Sequence, residues 1–226
     1  ACLVLLQYAD DLFVRETVAL HSLVLSMGQS LLQNGLFQRG KVNDVSLSVD
    51  TDDRMVDLIR DGFDLAIRIA QLPDSSLIAR RLAIIRHACV ASPSLLEHLG
   101  TPQEPDDLYR FPGIVYSNRE EASYWKFAND VVPSVRTRLD FANGDAVREA
   151  AIAGFGVAML PTFIVHDAVR SGALSIVLAK HMRSPIAMYA VHPSTRNQTA
   201  RARAFIDFLV DTFRGEPPWD QGLLGD

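Results

Sequence analysis

Asparagine, glycine and aspartate stand in a row at Asn143-Gly144-Asp145, immediately before a stretch with helical apolar spacing. A helix starting there turns unpaired N–H groups and the positive end of its dipole outward, a seat for an anion, and Gly144 lets a guest approach the backbone closely. Asp145 works against a strong anion seat, since it already supplies negative charge, and plain capping by Asn143 is the alternative role. Ser117 and Asn118 follow a short apolar run, Ile114-Val115-Tyr116, and are grouped with Tyr116. There a strand hands over to a loop, the position at which α/β sheets present ligand-binding groups. Thr51, just past a strand that begins at Val45, has the same logic. Arg68, followed by Ile69 at a strand end, could grip a carboxylate with two N–H groups or pair with a neighbouring acid. Phe155, after the Asn143 helix, either lines a cleft or belongs to the core.

Catalytic groupings are hard to assemble. Tyr8-Ala9-Asp10-Asp11 after an apolar run resembles the Tyr-x-Asp-Asp turn of reverse transcriptases, where paired aspartates hold Mg²⁺ for nucleotidyl transfer. The rest of the chain supplies no basic template channel to go with it. The six histidines show no metal-binding spacing, and no Gly-x-Ser-x-Gly elbow or phosphate-binding Gly-x-x-x-x-Gly-Lys loop occurs. Gly154-Phe155-Gly156 follows a helix rather than a strand, so it is no dinucleotide fingerprint. The residues therefore point to binding without chemistry, with no catalytic residue, cofactor or metal.

The elements that must carry these residues alternate short apolar runs with amphipathic stretches, the pattern of an α/β fold with a largely parallel sheet. Strands are expected at 3–8, 45–49, 65–67, 77–82, 86–91, 114–116, 156–160, 174–178 and 185–191. The runs 124–127 and 135–141 read as an antiparallel pair. Helices are expected from the acidic cap at Asp50 to Asp53 up to Gly62, from Ser94 to Leu99 behind Ser92-Pro93, from Asn143 to Ala153, from Pro161 to Gly172, and over 199–213. In that last helix Phe205, Phe208, Leu209 and Thr212 form the expected inward stripe. The tail that begins Gly215-Glu216-Pro217-Pro218 reads as a helix stop followed by fraying.

With 226 residues, 48% of them hydrophobic and 22% charged, the chain can bury a real core in one large domain or two small lobes. A formal net charge of -5, with arginines interleaved among acids, argues against a phosphate-neutralising face on this chain. Cys2 and Cys89 read as two free thiols of a reducing compartment rather than a disulfide. The opening Leu3-Val4-Leu5-Leu6 run is too short to span a bilayer and lacks a basic leader, so the expected location is cytoplasmic, with no membrane partner.

Four stretches carry a family resemblance: DDRMVDLIRDGFDLAIRIAQLPDSSLIARRLA from Asp52, ACVASPSLLEHLGTPQEPDDL from Ala88, NGDAVREAAIAGFGVAMLP from Asn143, and MYAVHPSTRNQTARARAFIDFLVDTF from Met188. In order and spacing they resemble the effector-binding domain of LysR-type transcriptional regulators, over roughly three-quarters of the chain. The resemblance implies a fold like type II periplasmic binding proteins, two α/β lobes joined by two crossing strands, here 86–91 outward and 185–191 back. It places residues 1–88 with 192–226 in lobe I and 89–191 in lobe II. It implies a small effector, anionic on the reading of Arg68 and the Asn143 helix start, bound between the lobes. It further implies a homodimer or homotetramer that meets DNA only through an N-terminal winged helix-turn-helix, which is not read in the residues before Val45. The opening segment lacks the Ser/Thr loop pattern of such domains, and Thr17 is the nearest substitute for its hydroxyl. A transport-type solute-binding protein of the same fold is the rival reading, and a nucleotidyl-transfer fragment built on Tyr8, Asp10 and Asp11 the remoter one.

Overall fold

The computed structural model describes residues 2–5, 49–52, 57–69, 77–117, 125–193 and 200–223; side chains are described from 57 onward except at 200 and 201. Tyr8, Asp10, Asp11, Thr17, Asn118 and Tyr124 lie outside them, as do the first residues of the strand expected at 45–49. The chain divides into two compact units. One comprises Ala1–Ala83 with Ala187–Arg214, the other Ile84–Ile186 with Gly215–Asp226.

The first unit is built on a five-stranded sheet in the order β2-β1-β3-β10-β4, with β1 Cys2–Leu5, β2 Val49–Asp52, β3 Leu65–Ile69, β4 Leu77–Ile85 and β10 Ile186–Pro193. The turn into β3 follows a helix-end logic. Gly62 takes φ 76°, and the Phe63 N–H reaches back to the Leu58 carbonyl at 2.9 Å. The described residues 57–62 form turns and Asp50 to Asp52 lie in β2, so the helix expected from an acidic cap there up to Gly62 is not found among them. Leu58 and Phe63 then pack with Ala66 and Val191. The sheet is not the parallel one expected: β1 runs antiparallel to both β2 and β3, and β10 antiparallel to β3. A periodicity argument sees strand–helix–strand order but cannot see that another strand inserts between the two parallel members.

A helix over Ala200–Thr212 belongs to this unit. It buries Ala202, Phe205, Ile206, Leu209 and Phe213, so the stripe is rotated from the expected one. Phe208 and Thr212 are only half-buried, and the Thr212 hydroxyl donates to the Phe208 carbonyl at 2.8 Å. Each large apolar side chain so buried contributes about 1.5–3 kcal/mol.

The second unit has a five-stranded sheet in the order β7-β6-β8-β5-β9: β5 is His87–Ala91, β6 Pro112–Tyr116, β7 Arg136–Phe141, β8 Val157–Pro161 and β9 Ser175–Val177. Strands β6, β7 and β8 are mutually parallel, whereas β5 runs antiparallel to β8 and β9. Helix α1 (Pro93–Leu99) starts at Ser92, whose hydroxyl accepts from the Leu95 N–H; α2 is Gly144–Ile152 and α3 Thr162–Arg170. The Ala200–Thr212 helix is α4. Cys89, Leu108, Phe111, Trp125, Phe127, Met159 and Leu178 share one core cluster.

Three expectations need correction here. The run expected to form a strand at 124–127 is none: Trp125 and Phe127 are buried, and the chain then turns through Asn129 and Asp130 at φ 55° and 59°. These two left-handed residues form a tight turn, closed by the Val131 N–H on the Ala128 carbonyl at 3.2 Å, and β7 pairs parallel with β6 rather than antiparallel with this run. The outward crossing lies in β4, since the division falls between Ala83 and Ile84 while β5 pairs wholly within the second sheet. The tail does not fray. From Gly215 it belongs to the second unit rather than with the lobe assigned to 192–226, and Trp219 and Asp220 are 5% and 2% exposed.

Candidate functional site

Because β6, β7 and β8 are parallel, their carboxyl ends open on one edge of the second sheet, which brings Ser117, Asn143 and the start of α3 to the same side. The ladder closes with Tyr116 opposite Phe141, and the Ser117 N–H donates to the Phe141 carbonyl at 2.9 Å. Two residues on, Asn143 caps α2: its Oδ1 accepts from the Ala146 N–H at 3.0 Å. A helix has no internal partner for its first N–H groups, and here the Asn143 side chain takes the one at Ala146.

Gly144 lies close against Ile164. A Cβ there would lie 2.6 Å from Cδ1 of Ile164 and 3.7 Å from Cζ of Tyr116. The buried Tyr116 ring, the α2 start and the first turn of α3 therefore close on one point. Asp145 is buried as well, and Arg148 one turn on donates to its Oδ1 at 2.6 Å. The same Arg148 nitrogen reaches the Ile164 carbonyl at 3.3 Å, and its Nε and Nη2 bond Glu149. The negative charge that weakens an anion seat at this helix start is thus partly offset by a guanidinium that Asp145 shares with Glu149. Chemically, the edge offers a hydroxyl, backbone N–H groups and a paired carboxylate, a set for binding a small polar molecule.

Of the residues singled out from sequence, Tyr116, Ser117, Asn143, Gly144 and Asp145 come together here. Asn118 lies outside the described residues. Phe155 does not join them. It follows the far end of α2, is 45% exposed, and carries the Arg138 guanidinium 5.6 Å above its ring. Thr51, Arg68 and Ile69 belong to the first unit. Thr51 lies within β2, opposite Leu3, rather than past the strand end. Arg68 is half-buried in β3, flanked by Cys2 of β1 and Tyr189 of β10. Since Cys2 also faces Asp52, the carboxyl ends of β2 and β3 share one end of their sheet.

Sequence reasoning missed Arg148 and Ile164. Arg148 carried a usable signal, its i,i+3 spacing from Asp145; the Ile164 carbonyl carried none. A hollow of about 340 Å³ elsewhere in the second unit, lined by Pro105, Phe127, Asn129 and Lys180 among others, includes none of the residues singled out. Among the described residues no group of three or more His, Cys, Asp or Glu could hold a metal ion, and no helix is long and apolar enough to cross a membrane. Away from this edge, burial pushes the Cys89 thiol up to about 12, and backbone N–H bonds from Gln103 and Glu104 hold the Asp107 carboxyl below its usual range.

Comparison with known proteins converges on one family. Residues 38–214 match the LysR substrate binding domain. A helix-turn-helix-type transcriptional regulator of Haemophilus influenzae is 32% identical over 154 residues, covering 67% of this chain and 54% of that protein. The probable regulator LtrA of Klebsiella pneumoniae is 32% identical over 219 residues, covering 91% and 70%. The chain thus spans little more than half the length of several curated relatives it matches. The regulatory domain of CrgA, a LysR-type regulator of Neisseria meningitidis, superposes with a TM-score of 0.69 at 23% identity, covering 87% of this chain and 95% of that one. That likeness establishes the fold, the type II periplasmic-binding-protein-like α/β architecture, and together with the match over 38–214 it places the chain in the LysR substrate-binding domain family.

Proposed function

We propose that this chain is the effector-sensing part of a LysR-type transcriptional regulator, that it does no chemistry itself, and that it takes a small anionic molecule at the edge formed by Ser117 and the α2 start. The observation that carries the reading is the convergence of Tyr116, Ser117, Asn143 and Gly144 at the carboxyl ends of parallel strands, within a chain matched to that family over 38–214. Thr51, Arg68 and Ile69 are the first unit's contribution to effector binding. Helix N-terminal donors suit an anion, and Arg148, shared between Asp145 and Glu149, reduces the local repulsion. The relatives' description as helix-turn-helix regulators favours this role over solute transport. In the full-length protein the effector acts by binding one arrangement of a homodimer or homotetramer better than another, which changes how its DNA-contacting segments meet the operator in the cytoplasm.

A thermal-shift screen of small carboxylates and aromatic acids tests this. A true effector raises the melting temperature with the logarithm of its concentration above Kd, by the equivalent of about 2.7 kcal/mol at a hundredfold excess. The reading fails if no acid does so, or if a shift survives undiminished when Ser117→Ala and Asn143→Ala are combined.

A further inference from the structure

The tail after α4 is fastened to the second unit at three points. Asp220, its side chain 1% exposed, accepts from Nη1 of Arg86 at 2.8 Å. Trp219 meets Phe163 edge-on, ring centroids 6.0 Å apart. Nη2 of Arg170 donates to the carbonyls of Pro218 and Gln221 at 3.0 and 3.1 Å. Phe163 opens α3 and Arg170 ends it, so the tail braces that helix along its length.

These contacts continue toward the candidate site. The backbone carbonyl of Arg86 accepts both the N–H and the hydroxyl of Thr162, at 2.9 and 3.2 Å, pinning the first turn of α3. In that turn Ile164 offers its carbonyl to Arg148, which holds Asp145, while its side chain fills the space beside Gly144. A continuous set of bonds therefore joins Asp220 to the start of α2.

We propose that residues 217–221 are a positioning element for the effector edge, with Asp220 and Trp219 setting the first turn of α3 and, through it, Arg148, Asp145 and the donors of α2. The inference deepens the proposed function and rests on that reading of the edge. Nothing in the tail touches the effector; it acts through α3.

Hydrogen exchange on the whole chain, comparing wild type with Asp220→Asn and Asp220→Glu, tests it without a ligand. Asp220→Asn is expected to speed exchange at the Thr162 and Ala146 amides about tenfold while Cys89 and Val90 in β5 stay within about twofold, and Asp220→Glu to restore much of the protection. Acceleration confined to the tail, or spread equally over β5, overturns the proposal. Titration of the same variants with succinate and benzoate is expected to show about fivefold weaker binding of whichever acid the wild type takes. If the wild type takes neither, it is the choice of ligand class that fails, while the Thr162 and Ala146 amides still decide the role of the tail.

Discussion

Asp145 and Arg148 stand three residues apart on α2 with Oδ1 and Nη1 separated by 2.6 Å, and the same nitrogen spans to the Ile164 carbonyl of α3. The pair ties helix to helix at the point where a guest would meet the backbone. It also explains how a carboxylate 8% exposed can sit at a helix start: the dipole favours it and a cation matches it.

Removing the cation leaves that carboxylate buried and uncompensated. Breaking a fully buried pair costs about 3–5 kcal/mol, but the Arg148 side chain is 26% exposed and solvent screens part of the interaction. Arg148→Ala is therefore expected to lower stability by about 1–3 kcal/mol in urea unfolding. Adding Asp145→Asn should recover part of the loss, and strictly additive effects of the two changes would show that the residues are not coupled.

Asn143 holds the helix start through one side-chain bond to the Ala146 N–H. Asn143→Ala should cost about 0.5–2 kcal/mol and Asn143→Ser much less, read from paired denaturation curves. Equal stability of the alanine and serine variants would remove the cap from the account.

Two glycines of the second unit, Gly144 at the edge and Gly156 before the opposite, amino end of β8, make contrasting predictions. A Cβ on Gly156 would run into the Pro112 carbonyl oxygen, so backbone must move, and Gly156→Ala should cost about 1–3 kcal/mol. At Gly144 the obstacle is Cδ1 of Ile164, the far end of a side chain that can turn away. Gly144→Ala is expected to weaken effector binding more than stability, a split visible by running calorimetric titration beside thermal unfolding.

Cys89 is wholly buried in β5, and burial raises its thiol from the ordinary 9.0 to about 12. Below pH 9.0 the thiol is protonated in both folded and unfolded chains, and its contribution to stability is fully present. Above that, the unfolded chain sheds the proton and the folded chain does not. Stability should then fall by about 1.4 kcal/mol per pH unit until the folded thiol titrates. Cys89→Ala should flatten that part of the profile. A disulfide reagent at pH 8 should label Cys89 only as fast as the protein unfolds, and rapid labelling in the native state would contradict the burial.

The parts legible in advance are those decided by a few neighbouring residues. Asn143 capping α2 and Ser92-Pro93 opening α1 were readable because a cap is a local bargain between side chain and backbone. The helix-end position of Asn143 then put half of the candidate site within reach. The stripe on α4 was read one step off because Ile206, not Phe208, turns inward, a choice made by the surface the helix lies on.

Residue spacing alone settled most of the helices and strands of the second unit, two of their caps, and the family that those spacings match. Tertiary structure alone decided the direction of strand pairing in both sheets, the absence of a hairpin after Trp125, the separation of Phe155 from Asn143, and the burial of Trp219 and Asp220. The physical reason is range. Helix caps bond residues three or four apart, whereas Arg86 meets Asp220 across a separation of 134 residues, and Arg148 meets the Ile164 carbonyl across 16. Periodicity records which face of an element is apolar, but not which partner covers it.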